Sequence, residues 1–367
     1  MRSIFYNFLV FFILLVSCKQ RLLPDSSEKL FERYRKAVVL IRNSYYYEVE
    51  LNEGTKVFFT EIGNGELSEP YFKEEDAQQN AMVIYGTGFF ISKEGLIASN
   101  RHVINPINDE NNLRSLLKIK FDSYRFGVQN IIEQLSDKIT SIENYVSVNY
   151  NQLDYASINL LNNHKDSLIY ERNRYSVFNE VVNFDLTTSI VRCKTLYLGV
   201  AFDNTFVTRV SDFKECVLIN KSDEADVDLA LIQLKDKTTP SNVKTWFDFE
   251  NHNPNIAYGT LEKGEDTNVF RKLKIDTKLY MIGFNHGIDV AKTTEGIKAQ
   301  LTQGTVSQES DQIKVLYSIP SLSGSSGSPV IDQWGNLVAI NFAKVTNSQS
   351  FNYGILAKHL KTLQEKQ

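Results

Sequence analysis

The chain reads Ser321-Leu322-Ser323-Gly324-Ser325-Ser326-Gly327-Ser328-Pro329-Val330-Ile331 near its C-terminus, a turn of small residues that leads into an apolar segment. Glycines on both sides of Ser326 allow backbone conformations that direct neighbouring N–H groups into one pocket. Such a pocket stabilises the negative charge that develops in acyl transfer, and here the donors would be the backbone N–H groups of Gly324 and Ser326. The stretch therefore predicts an exposed serine nucleophile with an oxyanion hole.

A serine hydroxyl is a weak nucleophile at neutral pH, so Ser326 needs a base, and the base needs a group that fixes its tautomer. His102 lies near the end of residues 86–104, a stretch typical of two short strands joined by a turn. Asp228 begins residues 228–234, so its carboxylate lies at the mouth of an apolar strand. Burial there suits an orienting carboxylate. Three other acids crowd the same loop and could be solvated instead: Asp223, Glu224 and Asp226.

Together the three stretches resemble the trypsin-like serine peptidases of the chymotrypsin clan, most closely the bacterial periplasmic high-temperature-requirement (HtrA) proteases. The order histidine, aspartate, serine is that of the clan. Residues 280–284 and 303–307 are similar to the first strands of the second barrel in that family, and residues 335–341 to the strand after the nucleophile. Residues 324–329 also resemble the glutamyl endopeptidases.

The resemblance implies an all-β fold, a double six-stranded antiparallel β-barrel with a catalytic triad of His102, Asp228 and Ser326 between the barrels. No cofactor is needed for this chemistry. In trypsin relatives the position six before the serine holds an acid that binds basic side chains. Here it is Pro320, so the resemblance favours cleavage after a small or medium apolar residue. The pocket wall would include three further residues: Ile340, Asn341 and Phe342.

The chain divides into a signal and tether, two barrels and an insert. The first barrel is predicted in residues 36–127 and 181–235, with strands at 37–42 and 181–185, and the second in residues 265–367, which end in a helix at 354–367. A linker at 236–264 joins the barrels. Unlike the closest family, the chain is expected to carry no PDZ domain.

Residues 128–180 predict a helical hairpin inserted into the first barrel. No Gly or Pro occurs from 128 to 198, and apolar residues from Ile132 to Leu160 recur at alternating steps of three and four, a helical period. The turn is predicted at Asn162-Asn163 and the second helix at 167–178. The insert could be a rigid decoration, or a lid or docking arm that binds a protein partner or a second copy.

The N-terminus predicts export. A basic start precedes the apolar run 4–16, which is too short for a comfortable membrane span. Residues 15–18, Leu-Val-Ser-Cys, resemble a bacterial lipobox, which implies a signal peptide at 1–18, lipid on Cys18 and a tether at 19–35. The protein would then face the periplasm or lie at the outer membrane. A plain signal peptide or an uncleaved anchor are the alternatives.

Composition limits the other partners. In 367 residues, 42% hydrophobic and 23% charged residues are ordinary for a globular protein. A net charge of −4 without a long basic cluster argues against nucleic acid. No spacing among the remaining histidines predicts a metal site: His164, His252, His286 and His359. Cys193 and Cys216 could form a disulfide after export, or remain free thiols.

A non-enzymatic reading competes with the peptidase. The chain could be a lipid-tethered scaffold that keeps the barrels for binding and uses the helical hairpin as its interaction surface. The complete set of His102, Asp228 and Ser326 argues against this reading, because binding alone does not require all three groups.

Overall fold

The strands of the protein form two β-barrels. The computed structural model describes residues 24–51, 54–63, 66–107, 110–181, 189–247, 273–344 and 351–366. In chain order its first elements are α1 (Ser27–Tyr34), β1 (Val38–Glu50), β2 (Lys56–Phe59), β3 (Ile62–Gly63), β4 (Glu66–Leu67), α2 (Glu74–Gln79), β5 (Met82–Phe90), β6 (Leu96–Ser99), α3 (Arg101–Ile104), α4 (Glu110–Asn149), α5 (Tyr155–Val181), β7 (Ile190–Phe202), β8 (Lys214–Lys221) and β9 (Ala230–Leu234).

The remaining elements are β10 (Lys278–Gly283), α6 (Gly287–Ala291), β11 (Lys292–Thr293), β12 (Gly296–Ile297), β13 (Gln300–Gln308), β14 (Lys314–Tyr317), β15 (Pro329–Asp332), β16 (Leu337–Lys344), β17 (Asn352–Leu356) and α7 (Ala357–Glu365). Residues 61–80 contain the β3–β4 hairpin and α2. Among the described residues, no helix is both long and apolar enough to cross a membrane.

Both barrels are closed and antiparallel. In the first, the strand order is β1-β5-β6-β9-β8-β7, and β7 pairs again with β1, while β2 extends the sheet beside the second half of β1. In the second, the order is β10-β13-β14-β17-β16-β15, and β15 pairs with β10. Each barrel therefore closes with six strands, which confirms the predicted double barrel. One core cluster includes Phe89 and Ile97 of the first barrel and Ile282 of the second.

The helical insert is confirmed, but its limits differ from the prediction. Helix α4 begins at Glu110, not at residue 128, and continues through Gly127. Glycine costs about 1 kcal/mol inside a helix. The base of α4 offsets that cost because Leu113, Leu117 and Phe121 are buried against β1 and β2. The absence of glycine after residue 127 was therefore a poor guide to where the helix starts.

The turn of the hairpin also lies elsewhere. Residues 150–154 connect α4 to α5, and the carboxylate of Asp154 accepts a hydrogen bond from the Ser157 N–H at 2.7 Å. This side chain satisfies an N–H group that would otherwise lack a partner at a helix start. Asn162 and Asn163 lie inside α5, so the predicted turn there is wrong. Leu160, which was assigned to the apolar stripe, is exposed.

The tether and the C-terminal helix differ from the prediction as well. Helix α1 lies within the predicted tether 19–35, yet it is anchored to the second barrel, because the Tyr34 hydroxyl donates to the Gly335 carbonyl at 2.9 Å. Residues 354–356 belong to β17, which pairs with both β14 and β16. The helix therefore begins at Ala357 instead of Gly354. The prediction failed there because the apolar pattern of Ile355 and Leu356 fits a strand equally well.

The two cysteines do not form the disulfide that was considered. Cys193 and Cys216 are free thiols. Cys193 pairs with Tyr47 across β1, and Cys216 pairs with Leu234 across β9. Strands β7 and β8 pair at Gly199 and Glu215. At about 3.3 Å per residue, this register places Cys193 roughly 17 Å along β7 from the residue facing Cys216, beyond the reach of a disulfide.

Two predicted segments lie outside the described residues. Val181 ends helix α5, and the rest of the predicted strand 181–185 is in the segment 182–188. The linker 236–264 is described only as far as residue 247, where its Phe247 ring stacks on Tyr34 with centroids 4.6 Å apart. Residues 1–23, which contain the predicted signal peptide and Cys18, are likewise outside.

The burial of α4 predicts that the base of the insert is part of the first barrel. Leu117→Ala should lower the free energy of unfolding of the whole protein by about 2 to 5 kcal/mol, because it leaves a cavity between α4 and the sheet. Leu168 lies in the separate cluster of Leu135, Ile139 and Leu168. Leu168→Ala should therefore destabilise only the part of the α4–α5 hairpin that is far from the barrel. Urea unfolding and amide hydrogen exchange measure the two effects. Equal effects on the barrel amides would contradict this division.

Candidate active site

The serine loop, residues 321–328, is a sharp turn that is held by backbone hydrogen bonds. Gly324 and Gly327 have φ angles of 88° and 87°, a region that favours glycine. A Cβ on Gly324 would lie 2.3 Å from the Gly287 nitrogen, so no larger residue fits. The Ser325 N–H donates to the Leu322 carbonyl at 3.0 Å, and the Gly327 N–H donates to the Asn341 carbonyl at 2.8 Å. These bonds present Ser326 at the apex, where it is partly exposed.

Two backbone donors of this turn remain free. Among the described residues, no carbonyl or side chain accepts a hydrogen bond from the N–H of Gly324 or of Ser326. The N–H of Ser325 between them is occupied by Leu322. The turn therefore leaves available the two donors that were predicted for an oxyanion hole.

Asn341 holds the base of the serine loop. Its amide nitrogen donates to the Ser321 hydroxyl at 2.9 Å and to the Ser325 carbonyl at 3.0 Å. Its amide oxygen accepts a hydrogen bond from the Tyr317 hydroxyl at 2.8 Å. Burial raises the pKa of Tyr317 far above its usual value, so the hydroxyl keeps its proton. Neutral groups therefore fix the loop.

His102 and Asp228 form a close pair beside this loop. Asp228 Oδ2 lies 2.5 Å from His102 Nδ1, and its Oδ1 accepts the His102 backbone N–H at 2.9 Å. Asn100, which precedes α3, donates its amide to the Asp228 carbonyl at 2.9 Å. The imidazole is thus oriented by a carboxylate that is held at both oxygens. This geometry suits a general base of fixed tautomer.

The electrostatics of Asp228 favour its ionised form. Burial alone would raise the pKa of its carboxyl group, but the hydrogen bond from the His102 ring, the His102 backbone N–H and the charge of Arg101 lower the pKa overall. The carboxylate therefore stays charged at neutral pH. The other acids of the loop, Asp223, Glu224 and Asp226, are exposed.

Arg101 fastens the loop that carries Asp228. Its guanidinium donates to the carbonyls of Ser222, Glu224 and Ala225 at 2.7, 3.0 and 3.1 Å. Because Arg101 directly precedes His102 in α3, the same short helix positions the imidazole and the loop before Asp228. The sequence analysis missed this role. The only sequence signal was an arginine beside the candidate base.

Thr87 joins the first barrel to the serine loop. Its hydroxyl donates to the Gly324 carbonyl at 2.8 Å and accepts the Phe284 N–H at 3.0 Å. Its backbone N–H donates to the Ser326 carbonyl at 2.8 Å. The side chain is fully buried. One threonine thus connects both barrels and the loop. The pattern Gly86-Thr87-Gly88 does not predict this role by itself.

The serine loop packs directly against the segment before His102. A Cβ on Gly327 would lie 2.4 Å from the Ser99 hydroxyl and 3.2 Å from the Asn100 nitrogen. The fold therefore brings Ser326 next to the turn that leads into His102. Within the described part of the chain, no hydrogen bond joins the Ser326 hydroxyl to the His102 ring. In free enzymes such bonds are often long and shorten only when substrate binds.

The predicted pocket residues divide into two groups. Pro320 is exposed and Phe342 is half-buried, with its ring 6.4 Å from that of Tyr353. Ile340 is fully buried in the core, which contradicts its assignment to the pocket wall. Asn341 is also buried, and its amide is used to hold the serine loop.

Part of the chain matches a known protein family. A model of the trypsin-like peptidase domain matches residues 180–340, a span that includes Asp228 and Ser326 and begins after His102. The chain is similar to a serine endoprotease from Yersinia pestis at 13% identity and a TM-score of 0.42, over 94% of this chain and 67% of that one. No curated protein matches it.

Residues 180–340 therefore match a trypsin-like peptidase domain, and the two closed six-stranded barrels are consistent with a trypsin-like double barrel.

The contacts of Thr87 predict its contribution to stability. Thr87→Val should lower the free energy of unfolding by about 2 to 4 kcal/mol, because the buried Phe284 N–H and Gly324 carbonyl lose their partner. Thr87→Ser keeps the hydroxyl and should lose much less. Urea unfolding of both variants checks the difference. Equal losses would show that the methyl group contributes as much as the hydroxyl, which would contradict the prediction.

Proposed function

We propose that the protein is a serine endopeptidase in which His102, Asp228 and Ser326 form the catalytic triad. The observation that carries the proposal is the bonded His102–Asp228 pair beside a turn that presents Ser326 and two free N–H groups. Each group has the environment that its role needs. The carboxylate is buried and ionised, and the serine is partly exposed.

In the proposed reaction, the Ser326 oxygen attacks the carbonyl carbon of the scissile peptide bond while His102 Nε2 takes the hydroxyl proton. The N–H groups of Gly324 and Ser326 stabilise the oxyanion. The imidazolium then gives its proton to the leaving amine as the C–N bond breaks. Water, deprotonated by His102, attacks the acyl-enzyme, and the proton returns to Ser326 as the ester bond breaks. Asp228 stabilises the imidazolium throughout.

A small or medium apolar residue is proposed at the cleaved position. Pro320 places no charge where trypsin relatives have their acid, and Phe342 presents an apolar ring that is half-buried. Neither residue can pair with a lysine or arginine side chain. With Ile340 and Asn341 removed from the wall, the preference rests on these two residues.

The serine loop is proposed to be active without cleavage of a precursor. In trypsin-like zymogens, an acid just before the nucleophile pairs with a new N-terminus, and here that place is held by Ser325. Its hydroxyl accepts the Leu322 N–H at 3.0 Å and lies 2.9 Å from the Ser321 hydroxyl. The loop is therefore held without an ion pair, and no new amino group is required for it.

The proposed location is the periplasmic side of a bacterial membrane or the outer membrane, with lipid on Cys18. Cys18 lies outside the described residues, and the proposal rests on the lipobox resemblance. The first described residues attach to the second barrel, where the Asp25 N–H donates to the Gln333 carbonyl at 3.0 Å. A lipid anchor on Cys18 would therefore be connected to that barrel.

That the helical hairpin is an arm for a protein partner or a second copy stays a prediction.

A fluorophosphonate probe tests the proposed nucleophile, because only an activated serine reacts with it. Wild-type protein should be labelled, and Ser326→Ala should not. His102→Ala should lose about a million-fold in peptide turnover if the residues act as a triad. Ser323→Ala, an exposed serine of the same loop, is the matched control and should be labelled like the wild type.

The same measurement distinguishes the scaffold alternative. Absence of labelling in folded wild-type protein would favour a binding protein without catalysis. Labelling that persists in Ser326→Ala would assign the nucleophile to another serine.

Lipid attachment has its own test. In a bacterial host, Cys18→Ala should move the protein from the membrane fraction to the soluble exported fraction, because one thioether and one amide link to lipid are lost. Radiolabelled palmitate should be incorporated into the wild type and not into the variant. Cys216→Ala is the control and should still be labelled. A membrane-bound Cys18→Ala protein would indicate an uncleaved anchor.

A further inference from the structure

A cavity of about 480 Å³ is lined by residues that lie near His102 and Asp228 in the chain. Arg101 and Asn105, which flank His102 in the chain, form one side of it. Ser222 and Asp223, in the loop before Asp228, form another side. The ends of β7 and β8 complete the wall. The size is in the range of sites that hold small molecules or single side chains.

The described residues of this cavity carry more positive than negative charge. Lys221 ends β8 and lines the cavity, and its ammonium group forms no ion pair with a described residue. Arg101 also lines the cavity, and it donates hydrogen bonds to neutral carbonyls, while its charge also acts on the carboxylate of Asp228. Arg192 is paired with Glu48 and Glu50. Asp223, the one acid in the described lining, is exposed.

Lys221 and Cys193 both line the cavity. Burial raises the pKa of the Cys193 thiol to about 12, and the charge of Lys221 acts in the opposite direction, so the two side chains interact electrostatically. Lys221 is half-buried. A cation that is half-buried and unpaired in this way attracts an anion more strongly than one in open solvent.

Neutral donors are available in the same cavity. The Asn105 amide oxygen accepts the Ile107 N–H at 3.5 Å, which leaves both hydrogens of its amide nitrogen free to donate. The Ser222 hydroxyl oxygen accepts the Glu224 N–H at 3.2 Å, and no described residue accepts its own hydrogen. An ammonium with amide and hydroxyl donors around it suits a carboxylate.

We propose that this cavity is a subsite for a carboxylate of the peptide substrate, supplied by an acidic side chain near the scissile bond or by the peptide's C-terminus. The inference rests on the proposed endopeptidase function and adds to it an acidic preference outside the apolar primary pocket. The subsite lies where the segments of His102 and Asp228 meet, so a bound acid would hold the substrate near the reacting groups.

Matched peptides test the subsite. A fluorogenic peptide series carries Glu or Gln at each position on either side of the cleaved bond, and a second series carries a free or an amidated C-terminus. Wild-type protein should cleave the acidic member with about tenfold higher kcat/KM at one position, or with the free C-terminus. The ratio should fall to near one in Lys221→Gln and below one in Lys221→Glu. Higher salt should reduce the wild-type ratio.

Lys214→Gln is the matched control. Lys214 lies at the other end of β8, is exposed and does not line the cavity. This variant should keep the wild-type ratio. An acidic preference that persists in both Lys221 variants, or peptides cleaved without any preference, would overturn the subsite and leave the triad intact.

Binding separates the subsite from catalysis. Fluorescence anisotropy of the labelled peptides is measured with Ser326→Ala protein and with Ser326→Ala/Lys221→Gln protein. Tighter binding of the acidic peptide to the first protein only would support the subsite even if no peptide is cleaved. Equal binding of both peptides to both proteins would reject it. Failure of the proposed function appears instead as absence of fluorophosphonate labelling.

Discussion

The buried hydroxyl of Thr87 is the contact on which the site depends. It accepts the N–H of Phe284 from the second barrel and donates to the carbonyl of Gly324 in the serine loop. The backbone N–H of the same residue holds the carbonyl of Ser326. Two barrels with separate hydrogen-bonded sheets could otherwise shift against each other. The buried side chain of Thr87 helps to fix their relative position, together with the apolar core that both barrels share, because each of its hydrogen bonds would be costly to lose.

This connection explains why the small residues around Thr87 are needed. A Cβ on Gly86 would lie 2.6 Å from Val103, and one on Gly88 would lie 2.8 Å from both Ile41 and Ile97. Strand β5 can therefore approach the core on one side and the serine loop on the other. Because β5 leads through β6 to His102, the same close packing brings the imidazole and the serine loop together.

The serine loop and the base are held by different kinds of interaction. Hydrogen bonds between neutral groups hold the loop, through Asn341, Ser325 and Tyr317. The imidazole is held by the ionised Asp228, whose pKa is lowered. Protonation of Asp228 in acid would therefore weaken the orientation of the base while the loop keeps its bonds. The stabilisation from this carboxylate is present above its unfolded pKa, near 4, and is lost as the pH falls through its lower folded pKa.

The sequence by itself predicted the helical insert and the places of His102 and Asp228 at strand ends, because apolar periodicity and glycine-bounded turns are local signals, and its resemblance to the trypsin-like peptidases implied the double barrel. Local signals did not determine where α4 starts, that residues 354–356 are a strand, or that Ile340 faces the core. Those features depend on which surfaces meet. The roles of Thr87, Arg101 and Asn341 were likewise decided only by the tertiary structure, since each one bonds to partners that are distant in the chain.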